Sequence, residues 1–154
     1  MKILLLASFL FLVDFSVSAM ATAQFSGHWV ATEGKVSSNI GLSSKCSKVE
    51  IIIEQDTDKI VTKKYQSDCA LFGSKWGPIQ QDLKDGKVLE AGEEVGTIND
   101  TTMITISQDG AYKYAYNLRL IVGPQGQPQL QSYYGAGGGI GAMATEATLE
   151  KVAP

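Results

Sequence analysis

Apolar and polar residues alternate along much of this chain, most regularly over residues 111–122. The even positions are all aromatic or aliphatic, whereas the odd positions are mixed. Because successive side chains of a strand point to opposite faces, this pattern predicts a long strand with one buried face. It would span roughly 35–40 Å, which suits the wall of a barrel. Its apolar positions are Tyr112, Tyr114, Tyr116, Leu118, Leu120 and Val122.

Shorter alternating segments occur on both sides of this strand. Strands are predicted at residues 48–54, 59–65, 102–107 and 127–134, with a last strand at 144–152. Residues 33–45 and 90–96 are predicted as loops, and no stretch has the period of an amphipathic helix. The pattern predicts an all-β fold, an antiparallel up-and-down barrel of about eight strands. The interior of such a barrel is either filled by side chains or holds one small ligand.

The hairpin around residues 56–58 can pair in two ways. We favour a three-residue loop, which places Val49 opposite Tyr65 and Glu50 opposite Lys64, with a bulge near one cysteine. A two-residue loop instead places Cys46 directly opposite Cys69. Either register brings the two cysteines together, so we expect one disulfide.

A second hairpin is predicted at residues 108–110. A three-residue loop places Ile106 opposite Tyr112 and Ile104 opposite Tyr114, and Leu130 belongs to the next strand on the other side. These residues either fill the core or line a ligand cavity, and the sequence leaves both open. The predicted interior lining is Ile104, Ile106, Tyr112, Tyr114, Tyr116, Leu118, Leu120 and Tyr134.

The first 23 residues have the features of a signal peptide. Lys2 precedes an apolar run at 3–13, and small-residue sites end at Ala19 and Ala23, of which we prefer Ala23 for cleavage. Residues 24–154 then form a single domain, periplasmic or secreted. The net charge is −3 without a basic run, which argues against a nucleic-acid partner. No later segment is apolar enough to span a membrane.

Residues that could carry catalysis are few. His28 is the single histidine, and alternation turns it outward if Trp29 points inward. Asp56 and Asp58 lie in a turn, where carboxylates are usually solvated. The glycine-rich residues 135–141 are predicted to be flexible, with a lid over the barrel mouth as a hypothesis. We therefore expect no enzyme, no metal site and no cofactor.

Residues 27–29, Gly-His-Trp, resemble the Gly-x-Trp signature of lipocalins and the wider calycin group. The resemblance implies that Trp29 closes the base of the barrel and that an arginine from a late strand packs across it. Arg119, the only arginine, is the matching residue. A lipocalin-like barrel over nearly the whole mature chain implies a small apolar or amphipathic ligand.

Residues 26–30 are also similar to the small periplasmic inhibitors of bacterial metalloproteases, as are the Cys46–Cys69 spacing and Trp76. This resemblance implies a secreted protease as the partner, with a free N-terminal segment entering its cleft. Cleavage after Ala23 would leave only two residues ahead of Ser26. A ligand carrier is thus the favoured function, and a protein-binding inhibitor is the alternative.

Overall fold

The computed structural model describes residues 24–139 and 141–153, which form a closed antiparallel β-barrel. The expected signal peptide, with its cleavage after Ala19 or Ala23, lies outside the described residues. Within these two described ranges, no helix is both long and apolar enough to cross a membrane.

The described residues form twelve strands, and most are joined by short turns. They are β1 (Gly27–Ala31), β2 (Gly34–Ser38), β3 (Ser43–Gln55), β4 (Lys59–Cys69), β5 (Ser74–Trp76), β6 (Ile79–Lys84), β7 (Lys87–Glu90), β8 (Glu93–Ile98), β9 (Thr102–Asp109), β10 (Tyr112–Val122), β11 (Pro128–Gly138) and β12 (Gly141–Val152).

The ring closes because β1 pairs with both β3 and β12. Ten strands form the ring: β1, β3, β4 and β6 to β12. The other two lie outside it. β5 pairs with β4, and β2 pairs with both β3 and β12, beside β1. The predicted closed antiparallel barrel is therefore confirmed, but the number of about eight strands is wrong.

Two segments predicted as loops are in fact strands. β2 lies within residues 33–45, and β7 and β8 meet at a turn within residues 90–96. That turn consists of Ala91 and Gly92, whose φ angles are 51° and 85°. Two residues with positive φ suit the tight turn of a twisted hairpin, so these strands need no longer connection.

The pairing of β10 with β11 agrees with the sequence pattern. Tyr116 lies opposite Tyr134 and Leu120 opposite Leu130. Most of residues 135–141, predicted as a flexible segment, lie in strands, because β11 continues to Gly138 and β12 begins at Gly141. Backbone pairing along both strands replaces the side-chain packing that glycines cannot supply.

The favoured register of the β3–β4 hairpin is wrong. The turn is the two-residue form, and Cys46 lies opposite Cys69, to which it is joined by a disulfide. Register shifts occur between Cys46 and Lys48 and between Ile52 and Ile53. The second shift leaves Lys63 and Lys64 both off the core face, so Thr62 before them and Tyr65 after them both remain inside.

The predicted pairing of β9 with β10 is also wrong. The turn has two residues, so Ile106 lies opposite Ala115 and Ile104 opposite Asn117. This changes the register by an odd number of positions and exchanges the faces of β9. Ile104 and Ile106 are 43% and 61% exposed, while Met103 and Thr105 face the core.

The core lies inside the barrel and is closed at one end. At this lower end Phe25 and Trp29 are buried, and the turn between β10 and β11 lies at the same end. The turns between β9 and β10 and between β11 and β12 lie at the opposite, upper end. A large opening into the interior lies at the upper end, and a smaller cavity of about 190 Å³ lies at the lower end beside Phe25.

Candidate ligand site in the barrel

A cavity of about 540 Å³ opens from the upper end into the barrel. Its walls come from β4 to β7 on one side and from β9 to β11 on the other. The residues lining its inner part are aromatic or carry small hydroxyl groups: Thr62, Trp76, Thr105, Tyr114, Tyr116 and Tyr134. The cavity therefore combines large apolar surfaces with a few polar atoms.

Three of the rings that line this cavity pack against the buried ring of Tyr65, and we call Tyr65, Trp76, Tyr116 and Tyr134 the aromatic cluster. Tyr65 and Trp76 are paired across β4 and β5, and their rings are stacked at 4.8 Å. Tyr116 presents an edge to both, with its centroid 6.2 Å from Tyr65 and 5.2 Å from Trp76. Pairs of rings from opposite walls thus meet in the interior in the geometries that aromatic rings prefer.

Two polar atoms of the aromatic cluster border the cavity without a hydrogen bond. The Trp76 Nε1–H is buried and has no partner among the residues described, and the buried Tyr116 hydroxyl has only Thr62 beside it, without a hydrogen bond of ordinary geometry. A buried polar group without a partner costs about 1–3 kcal/mol. An acceptor atom placed in the cavity would recover this free energy.

The tyrosines of the cluster remain neutral well above physiological pH. Burial raises the pKa of Tyr65 to about 12 and also raises the pKa of Tyr116. Burial likewise raises the pKa of Tyr134. A neutral phenol donates a hydrogen bond, so the site offers donors and carries no charge at its floor.

The rim of the cavity is polar and mostly acidic. Glu90 and Asp109 lie on it, together with Lys75. Glu90 Oε2 accepts a hydrogen bond from Gln81 Nε2 at 3.4 Å. The rim therefore disfavours a strongly anionic ligand.

The predicted lining residues divide into three groups. Tyr114, Tyr116 and Tyr134 line the cavity, and Leu118 and Leu120 pack in or against the core. Tyr112 is 56% exposed, and Ile104 and Ile106 are on the outer surface. The sequence pattern did not predict Thr62 or Thr105 as lining residues. The inward position of Thr62 depends on the bulge in β3–β4, and that of Thr105 on the β9 register. Trp76 was not predicted to line the cavity either.

Trp29 closes the lower end, but not with the residue that the lipocalin resemblance implies. Trp29 is 1% exposed, and its Nε1 donates to the Phe25 carbonyl oxygen at 3.0 Å. The cation over its ring is Lys151, with Nζ 5.4 Å from the centroid. Arg119 lies on β10, separated from β1 by β11 and β12, and its side chain lines an outer groove.

His28 points outward and belongs to an ion cluster. Its Nε2 lies 2.9 Å from Glu50, which also accepts from Lys48 at 2.7 Å and Lys64 at 2.8 Å. The Glu50 side chain is only 8% exposed. These contacts make His28 part of a structural ion cluster on the barrel wall.

Acid is expected to destabilise the barrel through Glu50. The lysine ammonium groups, first Lys48 and then Lys64, lower the pKa of Glu50 from 4.5 to about 2. A carboxyl with a lower pKa in the folded chain stabilises it above the unfolded pKa, and this stabilisation disappears as the pH falls through the folded value. We expect a loss of about 2 kcal/mol between pH 4.5 and 2, after allowance for solvent screening of the half-exposed lysines.

Urea unfolding over this pH range measures the loss. The Glu50→Gln variant is the control, because it cannot titrate, and its stability should fall less steeply with acid. An equal slope for both proteins would contradict the assignment to Glu50.

Comparison of the chain with models of known protein families, with curated proteins and with solved structures gives no match.

Proposed function

We propose that this protein is a lipocalin-like carrier, a non-enzymatic exported barrel that binds one small amphipathic molecule in its interior. The observation that supports this most directly is the cavity over the aromatic cluster, with the unpaired buried donors of Trp76 and Tyr116 beside it. A cavity of about 540 Å³ is within the range of small-molecule sites. The Cys46–Cys69 disulfide fits an oxidising, periplasmic or secreted location.

The chemistry of the walls restricts the ligand. Stacked and edge-on rings favour a flat, apolar body. Two donors at the inner wall favour a carbonyl or ether oxygen on that body, and the acidic residues Glu90 and Asp109 on the rim disfavour an anion. The ligand we expect is therefore a neutral amphipathic molecule with an acceptor oxygen at its buried end.

Trp76→Ala is expected to weaken binding of the neutral dye Nile red, which has a flat ring system and a carbonyl oxygen, by at least about tenfold. The substitution removes both a wall of the cavity and a hydrogen-bond donor. Fluorescence titration measures the affinity, and native mass spectrometry of the purified protein shows whether a molecule remains bound.

Two variants make this test specific. Trp76→Phe keeps a ring and removes the N–H, so it should bind with intermediate affinity. Tyr112→Ala removes an exposed ring of β10 outside the aromatic cluster and should bind as the unmodified protein does. Unchanged Nile red affinity in Trp76→Ala would refute an interior site.

The protease-inhibitor alternative needs a free segment ahead of the barrel. In the described chain Phe25 is buried, and its backbone N–H donates to Gln55 Oε1 at 3.1 Å. These contacts make Phe25 part of the lower end of the barrel. Inhibition of a panel of secreted metalloproteases by the purified protein would support the alternative over the carrier.

A further inference from the structure

We propose that the outer wall of the barrel carries a second site, which binds a neutral oligosaccharide around Tyr133. The site is a groove of about 1280 Å³ on the outside of the wall, and we call it the outer groove. Side chains of β2, β3 and β9 to β12 line it. The interior cavity lies on the other side of β9, β10 and β11, the three strands that line both.

Strand pairing places the outward-facing side chains of the outer groove in two rows that run across the strands. The first row runs from Asn117 on β10 through Tyr133 and Glu146 to Lys35 and Lys45. It crosses five strands, so it is about 19 Å long at the usual spacing of about 4.8 Å. This length suits an extended chain of sugar units better than a single one.

The second row lies two residues away along the strands and runs parallel to the first. It consists of Thr102, Arg119, Gln131 and Thr148, each opposite the next. Residues two apart on one face of a strand are separated by about 7 Å. Asn117 lies directly opposite Tyr133, and an extended ligand that covers Tyr133 and continues across the groove would reach Gln131 and Arg119 in the second row.

The Tyr133 ring lies along the sheet. A side-chain carbon at Gly135 would come within 3.0 Å of the Tyr133 hydroxyl oxygen and 3.1 Å of a ring carbon. The ring thus occupies the space above Gly135, which is buried under it, while Tyr133 itself remains 37% exposed. A ring with one face on the backbone and the other partly exposed at the edge of the groove provides a flat apolar surface, as needed to stack against the C–H face of a sugar.

The polar side chains around this ring have no partners in the described part of the chain. Asn117, Arg119, Gln131 and Glu146 make no side-chain hydrogen bond and no ion pair there. Amides offer both donors and acceptors, and a sugar hydroxyl both donates and accepts. The groove is therefore matched to a ligand rich in hydroxyl groups.

Other ligand classes fit the outer groove less well. Lys35, Lys45 and Arg119 are nearly balanced by Glu33 and Glu146, which disfavours a polyanion. Tyr133 is the only aromatic residue among the groove's lining residues, which disfavours a lipid. The strands of the wall are paired on both sides, so a peptide cannot add as a further strand.

The test is a glycan array probed with the labelled full mature chain, followed by calorimetry with the glycan that binds most strongly. We expect binding to neutral oligosaccharides and at least about a tenfold loss of affinity in Tyr133→Ala. Tyr133→Phe keeps the ring and should retain most of the affinity. Tyr112→Ala, which removes an exposed tyrosine outside the groove, is the matched control and should bind normally.

Two further measurements separate a lost site from a lost fold. Circular dichroism should show the same β-content in Tyr133→Ala, and its Nile red affinity should be unchanged because the interior cavity is intact. Should Tyr133→Ala unfold, the surface variants Asn117→Ala and Arg119→Met, each expected to weaken glycan binding, provide the test. An array with no neutral glycan bound, or glycan binding lost in Trp76→Ala but kept in Tyr133→Ala, would overturn the proposal.

Discussion

Trp29→Ala is expected to lower the free energy of unfolding by about 3–5 kcal/mol. Trp29 is fully packed at the lower end, so alanine leaves a cavity that the surrounding strands cannot fill. The change also leaves the Phe25 carbonyl without its donor and removes the ring beneath Lys151. The cavity, the unpaired carbonyl and the lost cation–π contact should together destabilise the barrel more than the cavity alone.

Urea unfolding of the purified variant measures this effect. Trp29→Phe retains a ring but not the N–H, and we expect a smaller loss for it. Tyr112→Ala removes a ring that packs little and should change stability by no more than about 0.5 kcal/mol. If Trp29→Ala were no more destabilising than Tyr112→Ala, the lower end would not be closed as described.

Removal of the Cys46–Cys69 disulfide is expected to lower the free energy of unfolding by roughly 3 kcal/mol. The bond closes a loop with a sequence separation of 23, and cross-linking reduces the entropy of the unfolded chain. It also holds the upper ends of β3 and β4 next to a register shift. Breaking it should therefore loosen this end of the barrel first.

The double variant Cys46→Ala/Cys69→Ala should unfold at a lower urea concentration than the oxidised protein. A reducing agent should shift the unmodified protein to nearly the same midpoint and leave the double variant unaffected. Mass mapping without reduction should recover a peptide pair joined through the two cysteines. Equal midpoints for the oxidised and reduced protein would contradict the prediction.

The fold class could be predicted because alternation on β10 is a local property. A strand with one apolar face shows it in its own residues, and Tyr116 and Leu118 are indeed buried. The same holds for β11, where Leu130 and Tyr134 face inward opposite β10. Where the two faces differ clearly in polarity, the sequence determines both the strand and its orientation.

The register of β9 was predicted wrongly because the more apolar of its two faces is the outer one. Ile104 and Ile106 are more apolar than Thr105 and Ser107, yet the isoleucines are exposed and the hydroxyl residues face the cavity. The two-residue turn fixes this choice, and no residue near the turn distinguishes it from a three-residue turn. Part of the ligand site was thus assigned to the wrong face.

The remaining differences between the sequence-based prediction and the structure depend on contacts between residues that are distant in the sequence. Gly135 belongs to a strand because Tyr133 covers it and β10 and β12 pair with its backbone. Trp76 enters the aromatic cluster because β5 pairs with the far end of β4, opposite Tyr65. The two rows of the outer groove likewise exist only once six strands are side by side.

The closure of the ring has a consequence for the order of events during folding. β1 and β2, at the start of the barrel, must both pair with β12 at its end, and the Asn39 side chain accepts from the Ala142 backbone across 103 positions of sequence. Such non-local pairing is slow, because the entropy lost in closing a long loop precedes any gain from strand pairing. A chain emerging from the ribosome, or from a translocation channel during export, could form the hairpin of β3 and β4 early but could not complete the barrel until its last strand had emerged. We therefore expect the nascent protein to depend on a holding chaperone up to that moment.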